Sequence, residues 1–301
     1  MSGSGIFDRQ LMLQFQKRAL AKPVAGADFL LERSVEDVLD RLSAVEKQFS
    51  TGVALMGYTD ALARGLQQSG KVEKTIRIEQ GDFYFQSSDA AFEHGVVEPG
   101  EILPLEPQSA DLIVSLMSLH LINDLPGMLI QIARALRPDG LFLAAFPGTG
   151  TLGELRESLM QAEIELSGGA AARIAPFADI RDAGALLQRA GFALPVTDVD
   201  TVTVRYNSMF DLLKDIRAMG MQNILVDRSK KPLTRSVFMR AAQIYSTRFS
   251  DPDGRIRASF STLWMSGWKP HESQQKPLKP GSAKASLADA LKQFQVKPDE
   301  E

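Results

Sequence analysis

A change of rhythm near Thr51 constrains the fold of this chain more than any other feature. Before it, apolar residues recur at helical spacing. After it, short apolar runs alternate with amphipathic stretches, the pattern of a parallel sheet with crossover helices. Strands are predicted over residues 53–56, 75–79, 112–115 and 141–146. Helices are predicted between them over 60–68 and 126–136, the second stopped by a turn at Arg137-Pro138-Asp139-Gly140.

Upstream, Phe7, Leu11, Phe15 and Arg18 fall on one helical face, in a helix ending before Pro23. A second helix is predicted over 34–45, with Ser34 as its cap and Val35, Val38, Leu39 and Leu42 buried. Downstream come helices over 152–166 and 179–190, the latter closed by Gly191, then a strand over 194–206. Two further helices, 208–219 and 233–249, precede a turn at Asp251-Pro252-Asp253-Gly254 and a long strand over 256–268. This last strand follows helices without the usual strand-helix-strand spacing, so it is expected antiparallel, inserted near one sheet edge. The expected organisation is N-terminal helices over 1–48, an α/β domain over 49–268 with a helical cap at 208–250, and a mostly extended tail over 269–301.

Composition narrows the chemistry. With 44% hydrophobic residues among 301, the chain can bury one large core or two modest ones. A formal charge of -3 supplies no global basic field, so nucleic acid is not favoured as a partner. The absence of cysteine excludes disulfides and thiolate chemistry. The three histidines, His94, His120 and His271, are scattered, so no metal site is expected. No secretory signal is visible, and no stretch approaches the roughly 18 uninterrupted apolar residues of a membrane span. A cytosolic protein without direct membrane insertion is expected.

The most specific segment runs from Glu101 to Leu105, through Ser109 to Pro126, to Leu136-Arg137-Pro138-Asp139-Gly140. An acidic residue before Leu-Pro, an acidic turn into an apolar strand, a polar strand end, a helix and an Arg-Pro-Asp-Gly turn resemble the class I S-adenosylmethionine-dependent methyltransferases. The resemblance narrows at Ile6-Phe7-Asp8-Arg9, at Ser115 to His120 with Asn123 to Pro126, at Leu152 to Arg156, at Arg189 to Phe192, and above all at Gly267 to Gln274. These stretches are similar to the mitochondrial complex I assembly factors of methyltransferase fold that hydroxylate an arginine, and to their bacterial relatives. More distantly the layout resembles the malonyl carrier-protein methyltransferases. The resemblance implies a Rossmann-like, seven-stranded, mainly parallel sheet and S-adenosylmethionine as the family cofactor. It also implies a complex I subunit or assembly intermediate as partner, in the bacterial cytoplasm or the mitochondrial matrix.

Family members carry an acidic residue and then a Gly-x-Gly-x-Gly turn after the first strand, because bare backbone must approach the ligand there. Here Ala54 stands for the acid, and Met56, Tyr58 and Asp60 stand for glycines, leaving only Gly57. Weak or lost S-adenosylmethionine binding is therefore expected, with the fold acting chiefly through a protein partner. An active methyltransferase, or a hydroxylase that binds S-adenosylmethionine, is the alternative. The resemblance assigns Glu79 to the ribose, Glu98 or Glu101 to the adenine region, and Ser115 to the strand end beside the ligand, with Gly57 in the loop. Glu79 reads equally well as a solvated carboxylate. His120 is the candidate catalyst, as a proton-transfer group or as a residue ordering its loop. Trp268, His271 and Glu272 read as a partner-binding junction, Trp268 alternatively as an anchor for the tail.

Overall fold

A computed structural model describes residues 5–274. Two helices, α1 (Arg9–Ala21) and α2 (Phe29–Ser43), lead into β1 (Phe49–Leu55), α3 (Ala61–Gln68), β2 (Val72–Glu79) and β3 (Glu93–Val96). Then follow β4 (Ala110–Leu116), α4 (Leu125–Ala135), β5 (Leu136–Pro147), α5 (Gly153–Ser167) and α6 (Ile180–Arg189). The chain continues through β6 (Ala193–Tyr206), α7 (Met209–Ala218), α8 (Arg235–Arg248) and β7 (Ile256–Trp268). Residues up to Pro270 form one compact unit that includes α1 and α2, while His271 begins another. Of the expected tail, residues 275–301 lie outside the described residues.

The seven strands lie in the order β3-β2-β1-β4-β5-β7-β6. β1 pairs in parallel with β2 and β4, β2 with β3, and β4 with β5. β7 is antiparallel to both β5 and β6, as its spacing after the helices predicts. The mixed sheet is the Rossmann-like class I methyltransferase arrangement. Its strand order reverses beside β1: the chain goes outward to β2 and β3, then returns to β4 on the other side. Ligands in open α/β sheets bind beyond the carboxyl ends of strands at such a point.

Both sheet faces are buried, which explains why the central strands read as continuous apolar runs. One face packs Val53, Leu55, Ile113 and Phe142 against α4 and α6. The other packs Ala54, Leu112, Val114 and Trp264 against Val38 and Leu42 of α2 and Leu62 and Leu66 of α3. A third apolar cluster joins α5, α7 and α8, with Leu155, Leu212, Val237 and Tyr245 at its centre.

Three local expectations are corrected. Ser34 caps no helix: α2 begins at Phe29, and the buried Ser34 hydroxyl donates back to the Leu30 carbonyl. The predicted turn at Arg137 to Gly140 is absorbed into β5, with Asp139 at φ 61° where the ladder with β4 shifts register. The short edge strand β3 was not anticipated, because Glu93-His94-Gly95-Val96 has no apolar run and half of it is exposed.

Candidate functional site

The segments leaving β1 and β4 at the strand-order reversal carry residues in the left-handed backbone region. Met56 (φ 53°) and Tyr58 (φ 64°) follow β1, and Met117 (φ 57°) follows β4. Leu152 (φ 54°), just before α5, is a fourth. Left-handed backbone costs a side-chain-bearing residue about 1–2 kcal/mol, and strain of this kind gathers at functional sites. Met56 and Tyr58 therefore keep the turn geometry that glycines usually supply. Hydrogen bonds hold the turn: Met56 N donates to Ile78 O at 2.6 Å, and the Ser118 hydroxyl donates to the Met56 carbonyl.

Tyr58, Met117 and Leu152 line one cavity of about 400 Å³. α1 closes it through Met12 and Gln16, and the cap contributes Ile216 and Phe238. The wall is mostly apolar, as small-molecule and side-chain pockets are. The N-terminal segment is tied to the body of the fold, in one place at the cavity-lining Ile224: Phe7 N donates to Asn123 Oδ1 at 2.8 Å, Asp8 N to Ile224 O at 2.8 Å, and Val226 N to Ile6 O at 2.9 Å.

The five residues assigned to the cofactor do not line this cavity. Glu79 is almost wholly buried at the end of β2, where its Oε1 accepts from Arg77 Nε at 2.9 Å and its Oε2 from Tyr58 N at 3.4 Å. Arg77 Nη1 also donates to Asp89 Oδ2 at 2.7 Å, and its guanidinium lies over the Phe85 ring. Burial pushes the Glu79 carboxyl up to about 7 against the opposing pull of Arg77. Glu79 is thus not a solvated carboxylate; it belongs to a buried ion cluster. Gly57 backs onto that carboxylate. Glu101 accepts from Asn123 N and Asp124 N, both at 2.9 Å, and so clamps the entry to α4. Glu98 is exposed, its carbonyl and that of Val97 facing the Arg9 guanidinium at 3.4 and 3.1 Å. Ser115 is buried within β4, its hydroxyl without a partner among the described residues.

His120 does line the cavity, with its ring between Phe146 and Phe177 at 6.4 and 6.2 Å. Among the described residues its buried Nδ1 has no hydrogen-bond partner, and burial drives its titration down to about 3, so the ring is neutral. Ring contacts, not hydrogen bonds, position it. Trp268 ends β7 as part of the sheet, half-buried against the core beneath Lys47. In the unit that begins at His271, the His271 Nδ1 pairs with Ser273 Oγ at 2.7 Å, and Glu272 is exposed.

Residues 51–144 match the family described as a methyltransferase domain. A methyltransferase candidate solved from Bacillus halodurans superposes with a TM-score of 0.54 at 13% identity, over 78% of this chain and 98% of that one, and shows the shared fold. The mitochondrial arginine-hydroxylase NDUFAF5 of Mus musculus is 36% identical over 290 residues, 95% of this chain and 84% of the relative. The chain belongs to the arginine-hydroxylase NDUFAF5 family. The Danio rerio NDUFAF5 protein is 43% identical over 205 residues, 68% of this chain and 64% of that relative.

Glu79 accepts from Arg77, the Val97 and Glu98 carbonyls face Arg9, and the Tyr58 ring stands in the cavity wall. Sequence reasoning missed Arg77 as the partner of Glu79 and Asp89 as a second partner of Arg77. The strand alternation that puts Arg77 and Glu79 on one face was a usable signal for the first. No local signal points to Asp89, twelve residues from Arg77 and outside any strand. Among the described residues, no group of three or more histidine or carboxylate side chains could hold a metal ion, and no helix is long and apolar enough to cross a membrane.

Proposed function

We propose that this chain is an assembly factor of the NDUFAF5 kind that uses the methyltransferase fold chiefly to recognise a partner protein, with S-adenosylmethionine binding weak or lost. The observation that carries this reading is Glu79: its carboxylate is turned into the ion cluster with Arg77 and Asp89 and away from the cavity. A cavity of about 400 Å³ remains, large enough for a side chain presented by a partner. The relatives' name supports arginine as that side chain, and the sequence resemblance supports a complex I subunit or assembly intermediate as its bearer. The relatives are named mitochondrial, which favours the matrix, or the cytoplasm if the chain is bacterial.

The decisive experiment is deletion of the gene in a respiring cell, with complex I measured on native gels. Assembled complex I falls, and the protein co-purifies with an assembly intermediate and not the finished enzyme. Normal complex I in the deletion strain rejects the assignment.

One observation favours the second reading, an active methyltransferase or a hydroxylase that binds S-adenosylmethionine. Met56 and Tyr58 hold the left-handed backbone of a cofactor loop despite the strain. Calorimetry with S-adenosylmethionine separates the two: the first reading expects little or no binding, the second a saturable isotherm.

A further inference from the structure

The wall of the cavity divides by chemistry. Tyr58, Ser118 and His120, which follow β1 and β4, give the strand-end part its polar groups. The part built by helices is mostly apolar. Leu30, Ile174, Leu213, Ile216 and Phe238 pack against the third apolar cluster, yet each stays half-buried, and all five line the cavity. They come from α2, α7, α8 and the segment before α6, so four separate parts of the chain leave apolar surface facing one space. An apolar cavity holds water poorly, and its lining lacks dispersion partners until an apolar group fills it.

Two features set the class of that group. Met12, Met117, Met219 and Met221, four of the chain's 11 methionines, line the same cavity. Unbranched thioether side chains re-pack around a flexible ligand, so the wall suits an alkyl chain better than a rigid ring system. The second feature is Arg217, which lines the cavity yet is exposed, and so stands at its rim. Among the described residues its guanidinium enters no hydrogen bond or ion pair, whereas Arg173, also in the wall, is paired with Glu163 at 2.6 Å. Arg217 lies one helical turn beyond Leu213 and next to Ile216, so on α7 the free cation adjoins the apolar wall. Asp28, an exposed carboxylate of the rim, bears instead on the strand-end part: burial and then its charge push the Tyr58 phenol up to about 12. An alkyl chain with a carboxylate head matches the α7 side in both respects, because a guanidinium takes a carboxylate in a two-pronged hydrogen-bonded pair.

We propose that the helix-lined part of the cavity binds a free long-chain fatty acid, its alkyl chain among α2, α7 and α8 and its carboxylate on Arg217. This goes beyond the partner-binding reading and does not depend on it. Leu213, Ile216 and Phe238 hold the chain by apolar contact, the methionines adapt to its length, and Arg217 fixes which end faces solvent. No chemical step is assigned to the bound acid.

The test is calorimetric titration of the full chain with dodecanoate, kept below its micelle concentration, with octanoate and dodecylamine as comparisons. Dodecylamine keeps the chain and reverses the charge. Dodecanoate binds saturably at one site. Octanoate binds at least about tenfold more weakly, since each buried methylene is worth about two- to fourfold in affinity. Dodecylamine also binds at least about tenfold more weakly. Arg217→Gln weakens dodecanoate by about five- to tenfold. Its thermal unfolding stays at the wild-type midpoint, because the exposed side chain has no partner to lose. Ile216→Trp fills the space from one wall and abolishes saturable binding. With methionine methyl groups labelled with carbon-13, the resonances of Met12, Met219 and Met221 shift as dodecanoate saturates, which separates occupancy of the cavity from adsorption at the surface. Absence of saturable dodecanoate binding, equal affinity for octanoate or dodecylamine, unchanged affinity in Arg217→Gln or in a folded Ile216→Trp protein, or unmoved methionine resonances overturns the inference.

Discussion

Arg77 and Glu79 stand two residues apart on β2, on one face of the strand, with Nε and Oε1 2.9 Å apart and side chains only 1% and 2% exposed. Asp89 closes the cluster from the loop before β3 at 2.7 Å. Removing one member of a buried ion cluster strands the others in a low-dielectric interior, at a cost of about 3–5 kcal/mol. Glu79→Ala therefore lowers the unfolding free energy by about that much in urea denaturation. A loss below about 1 kcal/mol would show that Glu79 is free for a ligand, since exposed carboxylates contribute little.

Stability near neutral pH carries the signature of two buried groups with opposite signs. The folded Glu79 value of about 7 lies above the ordinary 4.5, so its contribution is fully present below pH 4.5 and is lost as pH rises through 7. The folded His120 value of about 3 lies below the ordinary 6.5, so its contribution is present above 6.5 and is lost as pH falls toward 3. The two slopes oppose each other between 4.5 and 6.5. Glu79→Gln removes the decline between pH 6.5 and 8, and His120→Phe removes the acid-side loss, each readable as a change in the slope of Tm against pH. A wild-type-like slope in either variant shows that the residue titrates normally.

Tyr58→Gly relieves left-handed strain of about 1–2 kcal/mol and loses ring packing of similar size, so net stability stays within about 1 kcal/mol. Because Arg77 still holds Glu79, calorimetry finds S-adenosylmethionine binding weak in this variant as in the wild type. Tight binding in the variant alone would identify the Tyr58 ring as the sole obstacle, and low-micromolar binding in the wild type would reject the altered-cofactor reading altogether.

Trp268 pairs opposite both Leu141 and Ala193 in the sheet, and its ring stacks beneath Lys47. Trp268→Ala costs about 2–4 kcal/mol of stability through lost packing. Partner association, measured by co-purification below the variant's unfolding midpoint, stays near the wild-type level. Selective loss of association in a stably folded variant would restore Trp268 to the partner surface.

The sequence by itself determined the architecture. Apolar runs alternating with amphipathic stretches need a parallel sheet covered on both faces, and strands such as Ile113-Val114 leave no other way to bury two faces. The spacing before Ile256 likewise required β7 to enter antiparallel. The exposed strand β3 escaped because hydrogen bonds to β2, not apolar burial, define it. The site was legible only in part. Its place beyond the ends of β1 and β4 follows from strand order, and His120 does reach the cavity. What Glu79 does was decided only in three dimensions, because a carboxylate at a strand end has the same sequence signature whether it meets a ribose or a buried arginine. Strand alternation set Arg77 beside it, while tertiary packing brought Asp89 to Arg77 and brought Asp28, Tyr58, His120 and Gln222 to one wall from positions as much as 194 residues apart. Local physics sets which residues form strands and helices; burial and unpaired polar atoms, which exist only once those elements have packed, set what the site can bind.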